Sequence, residues 1–199
     1  MRHPAYLETG PSGHVLAYVF SLPGLSLRAR RAEDALLSLP AAIASEIDRL
    51  KDAGRVVAGA VESIEVVEAE RETVKSDVEH GVSSALFRYE LRPTRDEDVA
   101  LVLDRLELDR ARMPEEAMQA VADGEWWLLS RLGTRPWAPL PEEPRARFEA
   151  VRALTLERFA NLLPGDRERH AVFGGEPWTT RKVLRRLACL SRDALTLPV

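Results

Sequence analysis

Four stretches of apolar residues at helical spacing, all in the second half of the chain, constrain the fold most. Within each stretch the apolar residues recur at intervals of three and four, which places them on one face of an α-helix. The stripes comprise Val99, Val102, Leu103 and Leu106; Met118, Val121, Ala122, Leu129 and Leu132; Phe148, Val151, Leu154, Phe159 and Leu162; and Val183, Leu184, Leu187, Leu190 and Ala194. Breaks between them fall at Met113-Pro114, at 133–144 and at 163–177. This pattern predicts an all-α four-helix bundle.

The first half of the chain has short segments rich in β-forming residues. Residues 14–20 and 25–29 predict two strands joined by a turn at Pro23-Gly24. Residues 61–70 predict a further strand from their β-branched content and partial alternation.

One helix lies between these predicted strands. From Ala32 onward, leucines and isoleucines recur at helical spacing, and Gly54 supplies a stop signal. Pro40 interrupts the pattern and should kink the helix or mark a restart. The first half therefore predicts a small α+β module that precedes the bundle.

The change of pattern sets the expected domain boundaries. We predict an α+β domain over residues 1–75, a connector over 76–93 and the helical bundle over 94–199. Thr94 followed by Glu97 has the spacing of a capping box, so the first bundle helix should begin there.

Composition excludes several classes of protein. The chain has 199 residues, of which 45% are hydrophobic and 30% are charged, values that are typical of a globular protein. Neither a signal peptide nor a membrane-spanning run is evident, so a cytoplasmic location is expected. The formal charge of −4 gives no general attraction to nucleic acid, and Cys189, the single cysteine, excludes an internal disulfide.

Basic residues cluster at two places, Arg28 to Arg31 and Arg181 to Arg186. We interpret both clusters as a solvated helix face in preference to a nucleic-acid site.

The first half resembles the N-terminal domain of HicB-type antitoxins over residues 4–70. That family shows a strand, a Leu-Pro-Gly turn, a further strand and a helix opened by an acidic residue and alanine. Here Leu22-Pro23-Gly24 and Glu33-Asp34-Ala35 stand at those places, while Ala29-Arg30-Arg31 replaces the usual Gly-Asp-Thr. The resemblance implies a protein partner.

The second half resembles the DinB/YfiT-like superfamily of four-helix-bundle metalloenzymes over residues 94–199. "VADGEWWLLSRLG" (Val121–Gly133) is similar to that family's second helix, and "EPWTTRKVLRRLACLSRDAL" (Glu176–Leu195) is similar to its fourth. The whole chain thus resembles a fusion of a HicB-like module with a DinB-like bundle.

The DinB-like resemblance implies three metal-binding histidines, one on the second helix and two at i and i+4 on the fourth. Carried over to this chain, these positions are Ala120, Leu190 and Ala194, none of which can bind a metal. We therefore expect no metal and no cofactor. Leu190 and Ala194 continue an apolar stripe, so the former site should be ordinary core together with Ala120.

Several residues remain as candidates for a ligand or interface site. Glu125 matches a recurrent glutamate of the family, and a structural pair with an arginine, for which Arg192 is available on the fourth helix, is favoured over a general base. The tryptophans of the second half either close the core or line a pocket or interface patch; they are Trp126, Trp127, Trp137 and Trp178. His170 precedes the fourth helix in a loop that could overhang the end of the bundle.

These observations favour a non-catalytic binding or regulatory protein whose partner is a protein or a small molecule. A homodimer is the expected assembly, because bundles of the resembled family commonly pair. An open strand edge in the small module would offer another route to a dimer. The alternative is a divergent metal-dependent hydrolase or thiol transferase with a displaced site. A DNA-binding repressor is a third option, disfavoured because the bundle stands where HicB antitoxins usually carry their DNA-binding domain.

Overall fold

The computed structural model describes residues 1–55, 64–76, 78, 83–133 and 139–195. The chain divides into two compact units, Met1–Phe87 and Arg88–Val199. A β-sheet with one long helix lies in the first unit and most helices lie in the second, so the predicted α+β class is confirmed. Within the described residues, every helix is too short or too polar to cross a bilayer.

The first unit is built on a sheet that has four strands within the described residues. The strands are β1 (Arg2–Thr9), β2 (Val15–Tyr18), β3 (Ser26–Ala29) and β4 (Glu65–Thr73). Their order is β3-β2-β1-β4, with β4 parallel to β1 and the other pairs antiparallel. The sequence predicted β2, β3 and part of β4, but it missed β1, which lies in the middle of the sheet. Residues 61–63 of the strand that the sequence predicted over 61–70 lie outside the described residues.

Helix α1 (Ala32–Asp52) packs on one face of this sheet. Its buried side includes Leu39, Ile43 and Leu50, each fully buried, as the helical spacing predicted. The helix runs through Pro40 without a restart. A proline removes one backbone donor, and the burial of this apolar side offsets that loss.

The described residues before the unit boundary pack against side chains of the sheet. Phe87 is fully buried there, and its ring lies 5.5 Å from Tyr6 and 5.9 Å from Tyr18. Residues 76–93, which the sequence predicted as a connector, are divided between the units at Phe87. Among the described residues of this stretch, Phe87 and Glu90 are buried and make aromatic and ion-pair contacts within their units.

The second unit contains four long helices within the described residues: α2 (Asp96–Arg110), α3 (Glu115–Ser130), α4 (Pro144–Ala160) and α6 (Thr180–Asp193). All four contain the predicted apolar stripes, most of whose residues are buried. Helix α3 packs against α4 and α6, and α2 packs against the same two helices. A short helix, α5 (Pro164–Arg167), and a 3-10 turn at Arg88–Leu91 complete the helical part.

A β-hairpin occupies part of the segment that the sequence predicted as a loop and as the start of the last helix. Strands β5 (His170–Phe173) and β6 (Glu176–Thr179) pair antiparallel around Gly174-Gly175. Both glycines have positive φ, at 60° and 81°, as a two-residue hairpin turn requires. Two consecutive glycines between β-forming runs were the signal for this hairpin.

The first turn of α2 corrects another prediction. The capping carboxylate is Asp98, which accepts a hydrogen bond from the Arg95 backbone N–H at 3.2 Å, so the cap lies one residue later than predicted. The Thr94 hydroxyl is buried and makes no hydrogen bond with the described residues. Glu97 is exposed.

Candidate functional site

The positions predicted to replace metal-binding histidines do not come together as one group. Ala120 is exposed on α3, so the prediction that it fills the interior between α3 and α6 is wrong. Leu190 and Ala194 are partly buried and pack against the apolar clusters of the second unit. The alignment of α3 with the second helix of the resembled family therefore predicted the wrong orientation for residue 120, which faces solvent instead of α6.

Gly124 is the residue of α3 that faces Leu190. A Cβ at position 124 would lie 2.7 Å from Cδ2 of Leu190, closer than real contacts allow. Glycine thus leaves room for the leucine side chain between α3 and α6. Because Leu190 occupies this space, methyl groups lie where the family resemblance implied an imidazole.

A buried ion pair lies beside this contact. Glu125 on α3 and Arg152 on α4 are both fully buried, and two nitrogens of Arg152, Nε and Nη2, donate to the two oxygens of Glu125. Nη1 of Arg152 donates to the Leu106 carbonyl, and Nη2 also lies 3.3 Å from the Ser191 hydroxyl. The Thr155 hydroxyl donates to Glu125 at 3.2 Å. The network therefore joins α2, α3, α4 and α6.

The arginine that pairs with Glu125 is Arg152, whereas Arg192, the candidate named from the sequence, lies half-buried at the end of α6. A sequence signal for Arg152 existed, because Arg152 lies four residues after Phe148 and Thr155 lies three residues after Arg152, on the buried face of α4.

The contacts of Glu125 decide what it can do. Burial raises the pKa of its carboxyl group, and the adjacent Arg152 guanidinium opposes that rise. Both oxygens accept hydrogen bonds from within the core, and the side chain is inaccessible to solvent. A general base needs an approachable oxygen, so this carboxylate is a structural member of an interhelical network.

The basic cluster on α6 is not the solvated surface that the sequence predicted. Arg181, Lys182 and Arg185 are buried at the start of that helix. Arg185 donates to Glu90 at 2.7 Å, and Arg181 lies 2.6 Å from Asp98. Arg181 and Arg185 therefore attach α6 to the segment around residues 90–98, and each of the two arginines has a carboxylate partner there.

Lys182 joins this cluster to the hairpin. Its ammonium group donates to Glu176 at 2.7 Å and to the Pro177 carbonyl at 3.0 Å, and it lies 4.7 Å from the Trp178 ring centre. Burial lowers the pKa of Lys182, and the Glu176 carboxylate opposes that effect.

Aromatic and cationic side chains from α3, α6 and the hairpin meet at one place on the second unit. The Trp127 and Trp178 rings pack edge to face with centres 5.3 Å apart, and Trp178 is buried while Trp127 is 41% exposed. The Arg186 guanidinium lies 5.2 Å from the first ring and 5.0 Å from the second. Phe173 of the hairpin contributes a third ring. We call these side chains, with Arg131, Lys182 and Glu176, the tryptophan–arginine cluster.

Arg131 lies at the centre of this cluster. Its guanidinium carbon is 4.3 Å from the Trp127 ring centre and 5.2 Å from that of Phe173. Among the described residues no carboxylate pairs with this guanidinium, and its buried Nε makes no hydrogen bond. The sequence reasoning missed Arg131, although the four-residue spacing from Trp127 places both on one face of α3.

The other candidates lie apart from the cluster or at its margin. Trp126 is partly buried between the apolar clusters of the unit. His170 is exposed and is the first residue of β5, opposite Thr179. Of the tryptophans singled out from the sequence, Trp127 and Trp178 pack in the cluster, and Trp137 lies outside the described residues.

The histidines that the structure describes do not assemble into a metal site. His3 is buried on β1 with Nδ1 3.2 Å from the Ser21 hydroxyl, and burial lowers its pKa. His14 lies 3.0 Å from the Ser12 hydroxyl, and His80 lies outside the described residues. In the part of the chain that the structure describes, no group of three histidine, cysteine or acidic side chains could hold a metal ion.

Comparison of the chain with protein-family models, with curated proteins and with solved structures gives no significant match. What the second unit can bind therefore follows from the chemistry of its own residues.

Proposed function

We propose that this chain is a non-catalytic binding or regulatory protein in which a HicB-like module precedes a DinB-like four-helix bundle that holds no metal. The proposal combines the sequence resemblance with the contacts inside the second unit. Its partner is a protein, as the antitoxin resemblance implies, or a small molecule bound to the helical unit.

The contact between Leu190 and Gly124 is the observation that carries this proposal. In the resembled family the corresponding part of the last helix supplies a histidine to the metal. Here a leucine packs against a glycine whose missing side chain makes room for it. A zinc-type site needs about three protein ligands and an open position, and an apolar space of this kind offers neither.

The pairing of Glu125 with Arg152 supports the same proposal. A divergent hydrolase that lacked the metal would need another activated group near a substrate. Glu125 is a buried acidic residue that directly follows Gly124, the glycine in contact with Leu190, and its oxygens are bound by Arg152 and Thr155. The enzymatic alternative therefore lacks a base that a substrate could reach at this position.

Elemental analysis of the dialysed protein tests the proposal directly. We expect no stoichiometric zinc, nickel or iron, and no turnover of thiol-transfer or ester substrates above the blank reaction. About one equivalent of a transition metal per chain, or turnover that a chelator abolishes, would overturn the proposal and favour the metal-dependent hydrolase or thiol transferase.

Replacement of the leucine provides a second test on the purified protein. Leu190→Ala should behave as a core truncation that lowers the free energy of unfolding by about 2 kcal/mol, the lower end for such changes because Leu190 is only partly buried. Leu163→Ala is the matched control, since Leu163 is 67% exposed and should change stability little. Equal effects of the two substitutions, measured by urea unfolding, would mean that Leu190 is not packed between the helices.

We also propose that the chain forms a homodimer through its helical unit. The alternative route, pairing of the β4 edge, is opposed by charge, because Glu65, Glu68, Glu70 and Glu72 lie along that strand. Two such edges would bring like charges together, a common device against edge pairing. Light scattering that gives the mass of one chain over a wide concentration range would contradict the homodimer.

A further inference from the structure

The tryptophan–arginine cluster contains a cation, Arg131, that has no carboxylate partner in the described part of the chain, unlike most arginines of the same unit. Within the described residues of the second unit, most arginines lie within ion-pair distance of a carboxylate. These are Arg95, Arg105, Arg110, Arg145, Arg147, Arg152, Arg158, Arg167, Arg169, Arg181, Arg185 and Arg186. Arg131 has no such partner among the described residues, although it is half-buried.

Partial burial makes the lack of an anion significant. A guanidinium that loses part of its hydration gains stability from a hydrogen-bond acceptor, and oxyanions match its planar fork of donors. The Nε of Arg131 is buried without an acceptor among the described residues. The remaining donors belong to a side chain that is partly open to solvent.

Two local features hold Arg131 in place without neutralising it. The residue caps the C-terminal end of α3, where the helix dipole favours a positive charge. The Trp127 and Phe173 rings attract the guanidinium through their electron-rich faces. Aromatic stacking orients the guanidinium and leaves its in-plane N–H groups to other acceptors.

The surrounding charges leave the cluster positive. Arg131, Lys182 and Arg186 contribute three cations, and Glu176 is the carboxylate that pairs with the second and third of them, at 2.7 Å and 3.7 Å. The same oxygen of Glu176 makes both contacts. An anion that approaches Trp127 therefore meets a net positive potential.

We infer that the tryptophan–arginine cluster binds a small organic oxyanion, a carboxylate or a phosphate monoester, that carries a flat apolar group. The oxyanion accepts hydrogen bonds from Arg131, and the flat group stacks against the exposed Trp127 ring. This inference specifies the ligand of the proposed binding protein and so depends on the non-catalytic role proposed above. A fork of N–H donors recognises both oxyanions, and a neighbouring indole surface selects aromatic bodies.

Calorimetric titration with four probes tests the inference on the full chain. Benzoate and phenyl phosphate carry the oxyanion and the ring, benzamide keeps the ring without the charge, and inorganic phosphate keeps the charge without the ring. We expect benzoate or phenyl phosphate to bind more tightly than both incomplete probes. Benzamide binding as tightly as benzoate, or no detectable binding of either aromatic anion, would overturn the inference.

Substitutions then locate the site. Arg131→Met removes the charge with little change in length and should weaken binding of the aromatic anion by about 10- to 100-fold, the loss of a hydrogen bond to a charged group. Arg131→Lys keeps the charge but loses the planar fork of donors, so its affinity for the aromatic anion should lie between those of Arg131→Met and wild type. Arg112→Met is the matched control, because Arg112 is an exposed arginine of the same unit that also lacks a carboxylate partner among the described residues.

Circular dichroism of each variant establishes that it is folded. If Arg131→Met does not fold, Arg131→Lys and Trp127→Ala decide the question, since both should weaken binding while Arg112→Met should not. Equal binding by the Arg131 and Arg112 variants would place the anion elsewhere and contradict the inference. A bound metal together with Arg131-dependent anion binding would overturn the proposed function alone, whereas a metal-free protein without anion binding would overturn this inference alone.

Discussion

The two units of this protein each bury a glutamate completely, and they satisfy its charge in different ways. Glu8 in the first unit accepts four hydrogen bonds from neutral groups: the Tyr18 and Ser83 hydroxyls, at 3.0 Å and 2.7 Å, and the backbone N–H groups of Ser84 and Ala85, at 2.6 Å and 2.9 Å. No cation contacts it among the described residues. Glu125 in the second unit is paired with the buried cation Arg152.

The difference shows which parts of the fold each carboxylate holds. Glu8 attaches residues 83–85 to the sheet, because two of its donors are consecutive backbone groups of that segment. Glu125 fixes the relative positions of helices, because Arg152 also donates to Leu106 on α2. Neutral donors bring no charge into the core, whereas a buried arginine must itself be desolvated and depends on its partner.

Removal of the arginine should therefore give the largest effect. Arg152→Met leaves Glu125 as an unpaired charge in the core, and we expect a loss of about 3–5 kcal/mol in the free energy of unfolding. Urea denaturation at neutral pH measures it.

The double variant Arg152→Met with Glu125→Leu is the control for this experiment. It removes both charges together, so it should recover much of the lost stability. A double variant as unstable as the single one would show that packing of the arginine side chain, and not its charge, stabilises the helices.

Asp98 is an intermediate case, since it accepts hydrogen bonds both from arginines and from the neutral Tyr89 hydroxyl at 3.0 Å. Burial by itself would raise its pKa, but hydrogen bonds from Arg95 and Arg181 lower the pKa to about 2. Asp98→Asn should therefore cost about 2 kcal/mol at pH 7.

The cost of Asp98→Asn should also depend on pH in a defined direction. Because the folded-state pKa is lowered, the stabilisation is complete above the unfolded pKa near 3.8 and is lost as the pH falls through about 2. At pH 3 the difference in unfolding free energy between wild type and variant should be roughly half of its value at pH 7. A difference that stays constant between these pH values would contradict the assignment of the ion pairs.

The smallest effect is expected in the first unit. Glu8→Gln keeps one oxygen for the Ser84 and Ala85 N–H groups, and its amide can donate to the hydroxyls of Tyr18 and Ser83. We expect a loss of about 1 kcal/mol. Glu125→Gln is the matched substitution in the second unit, and it should cost more because it leaves Arg152 without a counter-charge. Equal losses in urea denaturation would remove the distinction between the two buried carboxylates.

The helices and strands that were predicted correctly are those that the local sequence pattern determines by itself. The stripes on α2, α3, α4 and α6 follow from helical spacing, and β2 and β3 follow from β-forming runs around a Pro-Gly turn. Such periodicity is a property of neighbouring residues, so one sequence suffices to detect it. Strand β1 was missed because its residues, central in the sheet, do not alternate clearly.

Only the tertiary structure decided which charges meet. The sequence offered Arg192 as a partner for Glu125 and suggested a solvated surface for Arg181 and Arg185, whereas the fold buries these two α6 arginines and selects Arg152. Pairing across helices depends on the register of α3, α4 and α6, and an error of one position turns a side chain by about 100° around the helix. That register also explains why Ala120 is exposed. It likewise places Arg131 between aromatic rings, without a carboxylate partner among the described residues.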